Sequence, residues 1–328
     1  MTKYKLPQVS IIIPVKKINP FLLECLHYIN QINWYDYEIL VLSDKKEKID
    51  PIYRKVRVIP TGQIGPALKR DWGARKAGGQ ILAFLDDDAY PSREWLKFAV
   101  IHFFDPKVVA VGGPGVTPPG VSLREQIAGW VNASPLGAGP YGYRFYPATR
   151  RLVDDYPSMN LLVRRDDFLR VGGFDSHYYP GEDTKLCLDL VNLGKKIIYE
   201  PRALVYHHRR PVWTAFLKQN GNYGLHRGFF ARTLPQTSAR LSYFLPSMMV
   251  SNVVLFAVGL VLYKPAGLIL GLPLVIYLVL ILLNGLWICY KSRSIRLAFL
   301  SAITVVLTHF WYGVKFLQGL ILVKELKQ

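Results

Sequence analysis

Gly79-Gln-Ile-Leu-Ala-Phe-Leu-Asp-Asp-Asp88 sets five apolar residues, 81–85, directly against three carboxylates. A run that short and apolar, entered through Gly78-Gly79 and left through acids, reads as a strand buried on both faces. The signature recurs upstream. Val9-Ser-Ile-Ile-Ile-Pro-Val15, Glu38-Ile-Leu-Val-Leu42 (stopping at Ser43-Asp44) and residues 56–59 are short segments of the same kind. Between them Phe21, Leu22, Cys25, Leu26 and Ile29 recur at helical spacing, and residues 66–77 read as a second helix. Strand and helix alternate, which implies an α/β fold whose parallel sheet is covered on both faces. Ligands of such sheets bind where the strands end. The Gly- and Pro-rich stretch 112–147 reads as loop or mobile cover over the sheet's edge.

No GxGxxG follows the first strand and no Walker sequence occurs, so phosphate has to be held by other means. The acids after residue 85 offer one. Residues alternate in an extended chain, so Asp86 and Asp88 face one side and Asp87 the other. Two hard oxygen donors left open to water suit Mn²⁺ or Mg²⁺ bound together with substrate phosphates. Taken alone, a triple Asp before Pro91-Ser92 reads more readily as an acidic turn or helix cap.

The order of motifs around it decides the choice. Gly65-Pro-Ala-Leu-Lys-Arg-Asp71 ahead of residues 79–88, then Tyr156-Pro-Ser-Met-Asn160, Val171-Gly-Gly-Phe-Asp175, Gly181-Glu-Asp183 and Ala203-Leu-Val-Tyr-His-His208, resembles the family 2 glycosyltransferases over residues 9–228. The resemblance implies the GT-A fold, a Rossmann-like mixed sheet with helices on both faces, and an inverting, metal-dependent transfer of sugar from a nucleotide-sugar donor. It places Pro14, Val15, Asp44, Lys69, Arg70, Asp86, Asp87 and Asn160 at the donor, with Asn160 touching the donor sugar or the acceptor. Asp88 and His207 fall at the Mn²⁺ or Mg²⁺. Asp183 falls where the family keeps its general base, with Glu182 beside it on the acceptor side. Asp71 stands where the family usually has Asn, and Asp189 where it often has Arg.

After Pro211 the chain reads as an amphipathic helix and linker, residues 211–240, with Trp213, Phe216, Leu217, Leu225, Phe229 and Phe230 available to a membrane surface. Gln219-Asn-Gly-Asn-Tyr223 occupies the place of the QxxRW motif of cellulose-synthase-like enzymes. Gln219 matches, Asn222 and Tyr223 replace Arg and Trp, and Arg227 or His226 one turn on is left to supply the cation at the acceptor. That departure argues against processive polymer synthesis.

Residues 241–328 carry long apolar runs and a single acid, Glu325. Stretches 243–263, 266–290 and 297–323 each reach the roughly 20 residues that a bilayer core requires, so a C-terminal α-helical transmembrane domain of about three helices is expected after a catalytic domain of residues 1–210. Lys315 lies inside the third, which can tilt or lie partly in the headgroups. Lys3 and Lys5 lead straight into the first strand with no cleavable signal, and Arg227, Arg232, Arg240, Lys291, Arg293 and Arg296 flank the spans on one side. The positive-inside rule then expects a multi-pass cell-membrane protein with its catalytic domain in the cytoplasm and Lys264 outside.

The formal net charge of +18 divides as seven Lys and Arg against one acid in residues 241–328, net +6, and 34 against 22 in residues 1–240, net +12. With a membrane tail attached, this excess suits anionic lipid and phosphorylated substrates rather than nucleic acid. Three scattered cysteines make neither a metal nor a disulfide pattern. The expected acceptor is lipid-linked, a polyprenyl or dolichyl phosphate or an oligosaccharide on it. GDP-mannose is the first donor expected by similarity to membrane mannosyltransferases, with UDP-sugars second, since one carboxylate at Asp44 can accept from uracil or guanine N–H alike. A nucleotidyltransferase would use a similar acidic site but leaves Asp183 without a task. A non-catalytic membrane subunit would not retain Asp88 and Asp183.

Overall fold

A computed structural model describes residues 7–326, and Lys3 and Lys5 lie outside them. Contacts divide the described chain into two compact units. One comprises the chain up to Val116 with Tyr146–His208, the other Thr117–Phe145 with Arg209 onward.

The first unit is built on β1 (Val9–Pro14), α1 (Pro20–Ile29), β2 (Tyr37–Ser43), β3 (Val56–Pro60), α2 (Pro66–Lys76), β4 (Ile81–Leu85), β5 (Ala89–Pro91), α3 (Trp95–Val100), β6 (Val108–Gly112) and β7 (Gly115–Val116). The second unit's α4 (Leu123–Ala133) and α5 (Pro135–Ala138) interrupt it. It resumes with β8 (Arg151–Val153), β9 (Asn160–Arg164), α6 (Arg165–Arg170), α7 (Glu182–Asn192), β10 (Lys196–Tyr199) and β11 (Val205–His207). Eight strands form one sheet in the order β3-β2-β1-β4-β9-β6-β10-β8, and β5-β11-β7 form a second, small sheet.

The four strands read from the sequence run parallel, as the alternation with helices implies. The sheet as a whole is mixed, because β9 pairs antiparallel with both β4 and β6, and β8 antiparallel with β10. Both faces are covered. Ile11, Ile13, Leu22, Leu26, Trp95 and Ala99 share one core, while Phe84, Phe168 and Phe174 meet with ring centroids 5.0 to 5.4 Å apart. Every residue of β1 and β4 is buried, which explains their apolar runs, and the one polar residue among them, Ser10, donates to Glu38 at 2.7 Å.

The second unit adds α8 (Thr214–Thr233), α9 (Pro235–Ser238), α10 (Leu241–Leu262), α11 (Lys264–Ser292) and α12 (Ile295–Ile321). The last three are long and apolar enough to cross a membrane. The Gly/Pro-rich stretch is not all loop. Ser122 caps α4 by accepting from Glu125 N–H, and Ile127, Ala128 and Val131 pack with Val212, Phe216, Leu297 and Val305. The apolar residues of α8 are also placed differently from a surface helix, since Phe216, Phe229 and Phe230 are buried within the unit. α8 turns glycines to α12 instead: a Cβ on Gly228 would lie 2.1 Å from the Phe316 carbonyl oxygen.

Candidate active site

β4 ends at Leu85, and the acids that follow emerge at the carboxyl edge of the sheet. The small sheet brings them a partner: β11 runs antiparallel to β5 with His207 opposite Ala89. That register sets His207 Nε2 3.1 Å from Asp88 Oδ1, and His208 N–H donates to the Asp88 carbonyl at 3.0 Å. One ligand atom from each of Asp86, Asp88 and His207 lies within 4.8 Å of the others. Two carboxylates and an imidazole, all partly open to solvent, fit a hard or borderline divalent ion such as Mn²⁺ or Mg²⁺.

Asp87 points elsewhere, but not by the strand alternation expected from the sequence: β4 ends at Leu85, and Asp87 and Asp88 lie in a turn closed by Ala89 N–H donating to the Asp86 carbonyl at 3.2 Å. It accepts from Asn19 Nδ2 at 2.6 Å, and Asn19 caps α1 by accepting from Leu22 N–H. Burial lifts the Asp87 carboxyl above its usual range, with Asn19 partly opposing. This contact takes Asp87 away from the three-residue cluster.

Arg70 is the centre of the site's charge. It is buried on α2, donates to Asp86 at 2.7 Å and to Glu182 at 3.2 Å, and lies 5.6 Å from the centroid of the Phe174 ring. Burial alone would lower its pKa, but Asp86 and Glu182, with Asp183 behind them, raise it overall. The acidic strand end and the start of α7 are thus tied through one guanidinium. Glu182, expected on the acceptor side, is buried in that tie and also takes the Gly181 N–H at 2.9 Å.

Lys69, on the same helix, is buried as well. It donates to the Val15 carbonyl at 2.6 Å and pairs with Asp44, so it joins the ends of β1 and β2. Pro14 and Val15 are buried there, and Val15 N–H donates to Leu42 at 2.9 Å. Asp183 remains partly exposed at the first turn of α7, accepting from Thr184 N–H at 2.8 Å and from Ser158 N–H at 3.4 Å.

Asn160 is bonded within the protein. Its pairing opposite Leu85 puts it beside the acidic strand end, but its side chain is fully buried. It accepts from Trp95 Nε1 at 2.8 Å and donates to the carbonyls of Gly113 and Ala203 at 2.7 and 2.8 Å. Those bonds hold the start of β9 to the segments around Gly113 and Ala203. Asp71 is likewise bonded within the protein. It accepts from Phe174 N–H at 2.9 Å, and a Cβ on Gly173, at φ +82°, would lie 2.4 Å from its Oδ1.

The residues read for the acceptor lie in the second unit. Gln219 donates to the Tyr223 hydroxyl at 3.1 Å across one helical turn. Arg227 donates to Ser238 at 3.1 Å and stacks over Tyr243 at 4.8 Å. Sequence reasoning missed Asn19, Glu24, which meets His208 at 2.9 Å, and Trp95. None belongs to a motif, and Asn19 before Pro20 was readable only as a helix cap.

A Rossmann-like sheet that gathers carboxylates and a histidine at the end of its fourth strand defines a GT-A-type α/β domain. Residues 10–171 match the Glycosyl transferase family 2 model. A pre-mycofactocin glycosyltransferase of Mycobacterium tuberculosis is 30% identical over 249 residues, 75% of this chain and 49% of its own length. The chain therefore spans about half of that relative. A dolichyl N-acetyl-α-D-glucosaminyl phosphate 3-β-D-2,3-diacetamido-2,3-dideoxy-β-D-glucuronosyltransferase of Methanococcus voltae is 23% identical, covering 95% of this chain and 97% of its own. Among solved structures, the fold is shared with a mannosyltransferase of Pyrobaculum calidifontis in complex with GDP-Man and Mn²⁺. The TM-score is 0.61 at 18% identity, over 94% of this chain and 88% of that one.

Proposed function

We propose that the chain is an inverting glycosyltransferase that moves a hexose from a nucleotide-sugar donor to a polyprenyl- or dolichyl-phosphate-linked acceptor at the cytoplasmic face of a membrane. The observation that carries this reading is the Asp86, Asp88 and His207 cluster, joined through Arg70 to the helix start that bears Asp183. Similarity along nearly the whole chain to a transferase named for a dolichyl phosphate substrate supports the lipid-linked acceptor. GDP-mannose is the donor to test first, from the ligand of the similar fold, and UDP-sugars come next.

Asp88 and His207 would hold Mn²⁺ or Mg²⁺, with Asp86 kept in place by Arg70. The bound ion supplies positive charge to the diphosphate that leaves. Asp183 accepts the proton of the acceptor hydroxyl while that oxygen bonds to the anomeric carbon. The bond from that carbon to phosphate breaks on the opposite side, which inverts the configuration. Asp44 accepts from the base, and Lys69 fixes its carboxylate against the end of β1.

The test uses the full chain in nanodiscs. Binding of GDP and UDP with and without Mn²⁺, and sugar transfer to a polyprenyl phosphate that already bears a sugar, across a panel of nucleotide sugars, are measured for wild type and Asp88→Ala. Divalent-dependent binding should weaken at least about tenfold in the variant. Undiminished metal-dependent binding would overturn the metal assignment.

A further inference from the structure

Three C-terminal helices have the composition of membrane spans, but α12 is packed unlike the other two. Over its most apolar stretch 39% of α12 is buried, against 11% for α10 and 6% for α11. The buried side of α12 faces α8. Trp213 Nε1 donates to Thr304 Oγ1 at 3.0 Å, Gly221 abuts Trp311, Gly224 abuts Tyr312, Gly228 abuts Phe316 and Leu320, and Arg232 donates to the Leu320 carbonyl at 3.2 Å. Partners along the whole of α8 stand about 90 residues apart, so the two helices run parallel and in register over roughly 30 Å.

α8 carries Lys218, Gln219, Asn220, Asn222 and Arg227 within ten residues. A lysine or arginine at the centre of a hydrocarbon span costs about 3 kcal/mol, so α8 is excluded from the bilayer core and α12, in register beside it, is confined to the same level. The contacts with α10 agree. The second half of α12 meets its first turns: Ser247 Oγ donates to the Gly313 carbonyl at 3.1 Å, and the Phe244 and Phe316 rings lie 4.8 Å apart. The far end of the α10–α11 hairpin, where Gly259 meets Gly267 and Phe256 meets Gly271, is formed by those two helices. α12 begins at the foot of α11 after two residues, Arg293 and Ser294, and ends beside the foot of α10.

We infer that the chain crosses the membrane twice, through α10 and α11, and that α12 lies obliquely in one leaflet with α8 as a two-helix platform. Its partner is the acyl and headgroup boundary of the leaflet in which α10 begins. Ile295, Phe299, Ile303, Leu307 and Phe310 form an exposed apolar stripe along one face of α12. The opposite face, with Ser301, Thr304 and Thr308, is buried. The C-terminus then returns to the side on which Arg240 enters, contrary to a third crossing.

The experiment places single cysteines at Lys264, Arg293 and Lys324 in a Cys289→Ala chain and labels sealed vesicles with a membrane-impermeant maleimide. Cys25 and Cys187 are buried and stay in place. Arg293→Cys and Lys324→Cys should label from the same side and Lys264→Cys from the other. Lys324→Cys labelling together with Lys264→Cys would overturn the inference. A protease-sensitive tag after Gln328 on the otherwise unaltered chain gives a second readout, in the same vesicles and with no substitution. Cleavage from the side on which Arg293→Cys labels supports the platform, and cleavage from the side of Lys264→Cys overturns it. Both readouts report sidedness and not transfer, so failure here is distinct from failure of the proposed reaction.

Discussion

Asp183 is the residue whose replacement separates two roles that share one carboxylate. At the start of α7 it accepts from Thr184 N–H at 2.8 Å, a bond that an Asn oxygen can keep. An amide cannot take the acceptor's proton. Asp183→Asn should therefore retain donor and metal affinity while single-turnover transfer in nanodiscs falls by about 10²- to 10⁴-fold. Transfer within a few-fold of wild type would remove the base assignment. The neighbouring residues show where reading by motif stops. Asp86, Asp88 and His207 were legible because the acids directly follow a buried strand and the β5–β11 ladder brings the histidine back to them. Asn160 and Glu182 were not, since a motif position states which strand or helix carries a residue but not what its side chain meets. Asn160 meets Trp95 from 65 residues away and Glu182 meets Arg70 from 112 away. Such pairs exist only after the sheet has closed.

Among elements, the helix pair α8 and α12 gives a prediction whose sign discriminates. In an exposed helix, Gly→Ala stabilises by roughly 1 kcal/mol. At Gly228 the added Cβ would stand 2.1 Å from the Phe316 carbonyl and 2.8 Å from Leu320 N, both backbone atoms. Gly228→Ala should instead destabilise by about 1–3 kcal/mol, seen as a lower thermal unfolding midpoint in detergent. An unchanged or raised midpoint would mean that the helices do not touch there. The strands β1, β2 and β4 were legible because each has a centre buried on both faces and therefore a contiguous apolar run, 11–13, 39–42 and 81–85. α4 was hidden by the Gly and Pro residues that flank it. Its own Leu123–Ala133 has a Ser cap and an apolar face that packs on residues about 90 to 180 positions later, Val212 to Val305.

For the molecule as a whole, two buried acids of the first unit pull stability in opposite directions with pH. Glu200 is fully buried and held by Arg202, His102 and Arg150; burial would raise its pKa, but these partners bring it down to about 2. Its contribution is present above the ordinary value of 4.5 and is lost as pH falls towards 2. Asp71 is the reverse: burial lifts it from 3.8 to about 6, with Phe174 N–H opposing. Its contribution is full below 3.8 and is lost as pH rises through 6. Asp71→Asn should thus raise the unfolding midpoint at neutral pH, by an amount of order 1–3 kcal/mol, and have little effect near pH 4. Glu200→Gln should lower it at neutral pH, by less as the solution is acidified. An Asp71→Asn gain that does not shrink on acidification would exclude the buried carboxylate as its cause. These opposed acids could not be read from the sequence, where Asp71 was only a departure from a family pattern and Glu200 a residue before Pro201. The sequence by itself determined the alternating α/β order, the acids at the end of β4 and the apolar C-terminal helices, because each follows from local periodicity and the burial of contiguous residues. Only the tertiary structure decided the direction of β8 and β9, the joining of residues 117–145 to the C-terminal unit, the Asp86–Arg70–Glu182 tie and the course of α12 beside α8. Those depend on contacts between residues far apart in the chain, where apolar patterning specifies that a face is buried but not against what.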